Sequence, residues 1–315
     1  MMQNNKCLKI IFNLKKRESY VKRYLKLLRE YSLNFDILLI NDLETNINYD
    51  LENTLKTKII HSQSKRNITG MNSIFKTIYD NKKNLENYKY ICFVEDDNFI
   101  FPDSINECVK FLEKNKNFIG CNGNSFLFTK GKKYFFLNSY IAPCFKSENL
   151  ISRAKDYKKN YGLTYYSVIE TNTFVKICEE INLITDDCLS EIFFNFLSLI
   201  YGNLMKLDKI YLAREYPRPT VYNVPTLDMW IKNKNIIDDI QMIILRIKAN
   251  LEKLNNQIDE NLFLELTLFW YLRTIRFSQN SKLDIMEILN KKLKKIYCSY
   301  NNDVKFFIHK LNLIK

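Results

Sequence analysis

Short apolar segments alternate with segments of helical periodicity along the first third of the chain. Residues 8–13 and 35–40 are nearly continuous apolar runs, which are typical of strands buried on both faces. Between them, residues 18–31 repeat apolar side chains every three or four positions, as an amphipathic helix does. Strands that alternate with helices at this spacing predict an α/β fold, with a mostly parallel sheet and helices on both faces.

Similar patterns predict further elements down to residue 121. These are strands over residues 58–61, 90–94 and 118–121, and helices over residues 68–80 and 104–114. Residues 122–162 mix aromatic residues and lysines without a clear period, so this region predicts hairpins and loops in no particular order. Further on, residues 207–212 predict a strand, and residues 186–201 predict an apolar helix with a single polar stripe. The stripe consists of Asp187, Ser190, Glu191, Asn195 and Ser198.

The pattern changes beyond Trp230, where three amphipathic helices are predicted over residues 236–255, 261–277 and 281–297. We therefore divide the chain into an α/β domain over residues 1–230 and a helical C-terminal subdomain over residues 231–315. Amphipathic helices of this kind serve as a packing subdomain or as a homodimer interface. Peripheral contact with a membrane surface is the alternative for a basic helical segment.

The composition is that of a globular protein, with 46% hydrophobic and 26% charged residues in 315. A formal net charge of +13 favours anionic partners such as nucleotide phosphates or anionic lipids. The basic residues are spread along the chain and no nucleic-acid-binding signature accompanies them, so nucleic acid is not an expected partner.

The cysteine pattern and the N-terminus indicate a cytoplasmic protein. The chain has eight cysteines without a CxxC pair and only two histidines, which makes a zinc site improbable and predicts reduced thiols. We find no signal peptide, and the longest apolar stretches are shorter than the roughly 20 residues of a membrane-spanning helix. A peripheral location at the inner face of the cell membrane is compatible with the basic C-terminal helices.

Three consecutive acids, Glu95, Asp96 and Asp97, end the apolar strand predicted over residues 90–94. Adjacent carboxylates repel each other, and burial raises their pKa values unless a cation is present. Oxygen ligands suit Mg²⁺ or Mn²⁺, and open α/β sheets bind ligands at the carboxyl ends of their strands. The sequence therefore predicts a divalent-metal site here, whereas the alternative is a polar turn after a strand.

The order of these features resembles that of GT-A-fold glycosyltransferases, over about residues 6–225. The resemblance rests on four features in a fixed order: an acid after the second strand, an N-x-x-G…N stretch before a helix, an acidic strand end and an acid on a later helix. In the same order, these features are Asp42, residues 66–72 (RNITGMN), Glu95–Asp97, and Asp187 with Glu191. It implies an enzyme that binds a nucleotide-diphosphate sugar across the carboxyl edge of a Rossmann-like sheet.

The resemblance also implies roles for single residues in donor binding. Asp42 would bind the nucleobase, although an Asp at this place is also a common turn cap. Arg66 would contact a phosphate group, and Asn72 is the last residue of the N-x-x-G…N stretch before the helix. The alternative is an ordinary capped helix with a solvated arginine. Arg214, followed by Glu215, would bind diphosphate or form a structural ion pair.

For the acidic triplet, the resemblance implies that Asp97 ligates Mg²⁺ or Mn²⁺, which bridges the diphosphate. Glu95 stands where the family more often has Asp, and would face the ribose or the metal shell. Asp96 would face the sugar.

Two acids on the predicted helix over residues 186–201 are candidates for the general base. Inverting members of the family carry an acid near this helix start that removes a proton from the acceptor hydroxyl. Asp187 and Glu191 lie one turn apart, and we prefer Glu191. The alternative is that Asp187 interacts with the helix dipole and that Glu191 is solvated.

The sequence thus favours a metal-dependent, inverting glycosyltransferase that acts on a glycan, lipid-linked or protein acceptor. A sugar nucleotidyltransferase is a second possibility, but it normally has a glycine-rich basic loop after the first strand. Residues 13–17 (NLKKR) have the basic side chains without the glycines. A non-catalytic basic adaptor that docks on membranes or partners through its C-terminal helices is a third.

Overall fold

The computed structural model describes most of the first 216 residues and a few positions beyond them. The described residues are 4–14, 17–43, 55, 57–130, 134–159 and 162–216, with 238–239, 242–243, 245–247, 249–250, 309–310 and 313. The helices predicted over residues 261–277 and 281–297 lie outside the described residues, as does part of the helix predicted over residues 236–255. These helices and the division at residue 230 stay predictions.

The described part of the chain forms a nine-stranded mixed sheet, in the order β3-β2-β1-β4-β8-β6-β9-β5, with β7 paired to β6. The strands are β1 (Asn4–Asn13), β2 (Phe35–Asn41), β3 (Ile59–Gln63), β4 (Tyr88–Val94), β5 (Asn98–Ile100), β6 (Phe118–Lys130), β7 (Tyr134–Tyr140), β8 (Val168–Glu170) and β9 (Asn203–Glu215). Together with its helices, this sheet confirms the predicted α/β class.

Helices connect and flank these strands. They are α1 (Glu18–Leu28), α2 (Met71–Asp80), α3 (Lys82–Leu85), α4 (Pro102–Lys114), α5 (Leu150–Lys159), α6 (Thr171–Ile181) and α7 (Asp187–Tyr201), with a short 3₁₀ helix at Thr164–Tyr166. Among the residues that the structure describes, no helix has the length and apolar character needed to cross a membrane.

The four strands predicted from the apolar runs up to residue 94 form the parallel half of the sheet, β3-β2-β1-β4. Asn13 of β1 is level with Asn41 of β2, and Ile11 of β1 is level with Val94 of β4. The segments that follow these strands therefore leave the sheet at one common edge, its carboxyl edge. This edge is where the candidate site residues of the first hundred positions meet.

The other half of the sheet contains antiparallel pairs that the sequence did not indicate. The three-residue strand β8 lies antiparallel between β4 and β6, and β5 runs antiparallel to β9. The second pairing sets Asn98 opposite Arg214, so it brings the end of β9 to the segment directly after the acidic triplet.

A buried lysine ties the centre of the sheet to β5. Lys9 of β1 is fully buried, and its Nζ donates a hydrogen bond to the Ile100 carbonyl at 3.0 Å. The same ammonium group lies 4.7 Å from the centre of the Tyr24 ring and 5.3 Å from that of Phe35. Burial lowers the pKa of Lys9 to about 8, against the opposing influence of nearby thiols.

Three residues of the polar stripe of α7 are buried, namely Ser190, Asn195 and Ser198, and the last two hold the 3₁₀ helix in place. Asn195 Oδ1 accepts hydrogen bonds from the Thr164 backbone N–H at 2.9 Å and from its hydroxyl at 2.8 Å. The Ser198 hydroxyl lies 3.0 Å from the Thr164 hydroxyl. Because buried polar groups need partners, this network fixes the turn that carries Tyr166 towards the acidic triplet.

Candidate active site at the carboxyl edge of the sheet

The acidic triplet after β4 is buried against an arginine from the loop after β1. The Asp96 side chain is 0% exposed and that of Asp97 is 3% exposed. Nη2 of Arg17 lies 2.8 Å from Asp96 Oδ1 and 2.9 Å from Asp97 Oδ2. One guanidinium nitrogen thus bridges both carboxylates.

These two carboxylates retain unused hydrogen-bonding capacity. Within the described residues, neither oxygen of Asp96 accepts a hydrogen bond of normal geometry, and neither does Asp97 Oδ1. The contact from Arg17 to Asp96 is therefore an ionic contact without a well-directed hydrogen bond. Burial raises the pKa of Asp96 to about 8; Arg17 opposes this shift, whereas Asp97 and Glu95 add to it. Buried acceptors without donors are unusual in a folded protein and mark a place for a ligand.

Glu95 has a different environment from the two aspartates. Its Oε2 accepts hydrogen bonds from the Tyr166 hydroxyl at 2.5 Å and from Asn98 Nδ2 at 2.8 Å. The Tyr166 ring stacks on Phe93 at the end of β4, and the Arg214 guanidinium lies 5.0 Å from the centre of the same ring. The structure therefore brings Glu95 and Arg214 to the same tyrosine, Glu95 at its hydroxyl and Arg214 at its ring.

The acidic pair fits a divalent cation that shares its ligands with phosphate. Among the residues that the structure describes, no three His, Cys, Asp or Glu side chains are grouped as a complete metal cage. Mg²⁺ sites of nucleotide enzymes commonly use only one or two carboxylates, with phosphate and water as the other ligands. The free oxygens of Asp96 and Asp97 match this donor set, and Arg17 balances their charge in the structure described.

Asp42, at the end of β2, is buried and held by backbone groups. Its Oδ1 accepts hydrogen bonds from the Leu43 N–H at 2.7 Å and from the Ile68 N–H at 3.1 Å, and the Gln63 side chain donates to its carbonyl. This carboxylate links the end of β2 to the loop before α2. Its predicted contact with a nucleobase stays a prediction.

Asn72 and Asp187 lie in one network that joins α2 to α7. Nδ2 of Asn72 donates to the Ile184 carbonyl at 2.6 Å and to the Ser190 hydroxyl at 2.8 Å. The Asn72 backbone N–H donates to Asp187 Oδ1 at 2.7 Å, so Asp187 caps the first turn of α2. Burial raises the pKa of Asp187, although the hydrogen bond from Asn72 works against the shift.

Gly70 is required where it stands, directly before α2. A Cβ atom at this position would lie 2.1 Å from Asp187 Oδ2 and 2.4 Å from Asp187 Cγ. The glycine of the predicted signature therefore makes room for a carboxylate from α7. This close approach explains the residue without a bound ligand.

Two further predicted residues lie outside these contacts. Glu191 is half-buried on α7, one turn after Asp187. Arg66 forms a surface ion pair with Asp80 of α2 at 2.6 Å. Surface ion pairs of this kind contribute little stability, so Arg66 can leave Asp80 for a stronger anionic partner.

Sequence reasoning missed the residues that surround the acids most closely, namely Arg17 and Tyr166. For Arg17 a signal existed: a basic run follows β1, and segments that follow parallel strands meet at the same edge. For Tyr166 no signal was available, because the residue lies in a stretch for which no element was predicted and is placed by Asn195, about thirty positions away.

Comparison with solved structures identifies the fold. S. aureus TarS residues 1–349 with UDP-GlcNAc superposes at a TM-score of 0.57 and 18% identity, over 89% of this chain and 77% of that chain. The complex of the same TarS segment with UDP gives 0.52 and 18%, over 89% and 76%. The chain has a GT-A-like glycosyltransferase fold.

A longer TarS structure gives a TM-score of 0.51 at 17% identity, over 89% of this chain. Our chain covers 46% of that TarS chain, or about half of its length. Comparison with protein-family models and with curated proteins gives no match.

Proposed function

We propose that the chain is a metal-dependent glycosyltransferase that takes its sugar from a nucleotide-diphosphate donor. The observation that carries this proposal is the pair of buried carboxylates, Asp96 and Asp97, because three of their four oxygens accept no hydrogen bond from the described residues. They lie at the carboxyl edge of a sheet whose fold is similar to that of TarS, which has been crystallised with UDP-GlcNAc and with UDP. Ligands of open α/β sheets bind at this edge.

The donor would bind next to the acidic pair. Asp97 and Asp96 would hold Mg²⁺ or Mn²⁺, which when bound stabilises the negative charge that develops on the departing diphosphate. Arg214 reaches the same place along Tyr166 and would contact the diphosphate or the sugar. Asp42 would contact the nucleobase, whereas Asn72 acts indirectly, because its side chain is already bonded to α7.

Glu191 is our candidate for the general base. An acceptor hydroxyl attacks the anomeric carbon while the bond from that carbon to the diphosphate oxygen breaks, and the base takes the hydroxyl proton. Asp187 is less suited to this task, since its carboxylate caps α2 and lies against Gly70. Attack from the side opposite the diphosphate inverts the anomeric configuration. The acceptor would be a surface glycan, a lipid-linked saccharide or a protein.

A panel of UDP-, GDP-, dTDP- and CMP-sugars tests the proposal. We expect one donor class to raise the melting temperature with Mn²⁺ present and to be hydrolysed slowly without acceptor. EDTA should abolish hydrolysis. If no nucleotide sugar stabilises the protein or is hydrolysed, the proposal fails. Release of pyrophosphate from a nucleoside triphosphate and a sugar phosphate would instead identify a nucleotidyltransferase.

A further inference from the structure

Arg17 is the cation that balances the buried acids, and the neighbouring arginine is already engaged. Arg17 and Arg23 both lie 4.9 Å from the centre of the Tyr20 ring, one on each side of the first turn of α1. Arg23 pairs with Glu215 at 2.6 Å. Arg17 contacts both Asp96 and Asp97 through a single nitrogen, and no other ion pair to these acids is found in the described part of the chain.

The contact between Arg17 and the acids lacks the geometry of a permanent structural pair. A stable arginine–carboxylate pair normally uses two parallel N–H···O bonds. Here, Nη2 is shared between two carboxylates, and neither Nε nor Nη2 makes a hydrogen bond of normal geometry to the described residues. The interaction is mainly Coulombic, so another cation that meets the same oxygens can replace it.

A divalent cation bound to Asp96 and Asp97 would share these two carboxylates with Arg17. Arg17 Nη2 lies within 2.9 Å of one oxygen of each carboxylate. A metal ion on the same carboxylates would place two positive centres close to each other at a buried position, which is unfavourable. Binding of the metal and the Arg17 contact therefore oppose each other.

We propose that Arg17 is an exchangeable counter-ion of the Asp96–Asp97 pair, which competes with the divalent cation for these carboxylates. This inference rests on the proposed function, since it concerns the same metal site. It implies weak metal binding in the free protein. A nucleotide diphosphate strengthens metal binding, because it adds ligands to the metal and offers the released guanidinium an anionic partner.

The test measures Mn²⁺ binding to the protein without nucleotide, from the electron paramagnetic resonance signal of free Mn²⁺. We compare the wild type with Arg17→Met and with the matched control Arg23→Met, which removes the same charge from the same helix region, where the ion pair is with Glu215 and the influence on Asp96 is weaker than that of Arg17. Arg17→Met should bind Mn²⁺ at least about tenfold more tightly than the wild type. Arg23→Met should stay within about threefold of it, because its partner is Glu215.

Addition of free guanidinium ion tests whether a guanidinium group competes with Mn²⁺ for the two carboxylates. In Arg17→Ala, free guanidinium ion should weaken Mn²⁺ binding more than sodium ion does at the same ionic strength. In the wild type, where the tethered guanidinium is already present, the two salts should act alike. Equal action of the two salts in Arg17→Ala contradicts the proposal.

The stability of the variants gives a second readout. Without metal, Arg17→Met leaves two buried carboxylates without their counter-ion, so its melting temperature should fall. Mn²⁺ should restore that temperature and raise it more than in the wild type. If Mn²⁺ fails to do so, or if wild type and Arg17→Met bind Mn²⁺ equally, Arg17 is a fixed structural partner and the proposal is wrong. Nucleotide-sugar turnover by the wild type would still stand in that case, so the proposed function is judged separately.

Discussion

Two acidic clusters lie at the carboxyl edge of the same sheet, and they differ in how their oxygens are bonded. Asp42 and Asp187 accept hydrogen bonds from backbone N–H groups, and each links two segments of the chain. Asp96 and Asp97 are more deeply embedded than Asp187, yet three of their four oxygens accept no directed hydrogen bond from the described residues. Their described partner is the ionic contact with Arg17.

This difference separates acids that stabilise the fold from acids that, in our proposal, bind a ligand. A carboxylate that accepts backbone hydrogen bonds stabilises the segments it connects, and its loss leaves donors unsatisfied. A buried carboxylate with unbonded oxygens opposes folding, because its desolvation is not compensated. Such a group is retained where a cation or a substrate completes its bonding.

The largest expected effect is a loss of turnover when the Asp96–Asp97 cluster is changed. Asp97→Ala should reduce metal-dependent hydrolysis of the donor by at least about 10³-fold, because the cation that stabilises the leaving diphosphate loses a ligand. The melting temperature should stay near that of the wild type. Steady-state kinetics and a thermal melt on the same preparation check this, and retained turnover would remove the metal from the account.

A pair of isosteric variants on α7 tests which acid works as the base. Glu191→Gln should lower kcat by roughly 10²- to 10⁴-fold without changing the fold. Asp187→Asn keeps an oxygen that can accept from the Asn72 N–H, so its kcat should stay within a few-fold of the wild type. The reverse order would transfer the base to Asp187 and place that residue among the reactive groups.

Gly70 tests whether Asp187 stabilises the fold. Gly70→Ala places a methyl group against the Asp187 carboxylate, which should destabilise the protein by about 2–3 kcal/mol. In an Asp187→Ala background, the same change should be nearly neutral, since the obstructing carboxylate is absent. Denaturant unfolding of the four proteins gives the coupling energy. Additive effects would show that Gly70 and Asp187 act independently.

The smallest expected effects are changes in the free energy of unfolding caused by one alanine variant in each cluster, Asp42→Ala and Asp96→Ala. Asp42→Ala removes the acceptor of two backbone N–H groups and should lower the free energy of unfolding by about 1–2 kcal/mol. Asp96→Ala without metal should change it by less than about 0.5 kcal/mol or raise it, because a poorly compensated buried acid is removed. Equal destabilisation by both variants would abolish the distinction between the clusters.

The parallel half of the sheet followed from the sequence because its strands have five to ten residues and three of them, β1, β2 and β4, contain nearly continuous apolar runs. Residues 35–40, for example, correspond to a strand whose seven positions are all buried. The sequence also predicted that Glu95, Asp96 and Asp97 lie at the carboxyl edge, because the residues that follow parallel strands lie at one edge of the sheet. Strands β5 and β8 have three residues each, which is too short for a periodic signal. Their positions depend on partners more than forty residues away in sequence.

The candidate site was predicted in part. The sequence placed Glu95, Asp96 and Asp97 together but did not show that Glu95 is bonded to Tyr166 while the two aspartates face Arg17. It grouped Asp187 with Glu191 by helical spacing, and only the contact with Gly70 and Asn72 distinguishes their surroundings. Side-chain bonding of this kind depends on tertiary contacts that periodicity does not encode.

Calorimetric titration of UDP into the wild-type protein, with Mn²⁺ and then with EDTA, tests the central claim most directly. If Asp96 and Asp97 bind a cation that in turn binds the diphosphate, UDP should bind at least about tenfold more tightly with Mn²⁺ than with EDTA. The difference should vanish in Asp96→Asn/Asp97→Asn. Equal affinity of the wild type for UDP in Mn²⁺ and in EDTA would contradict the account.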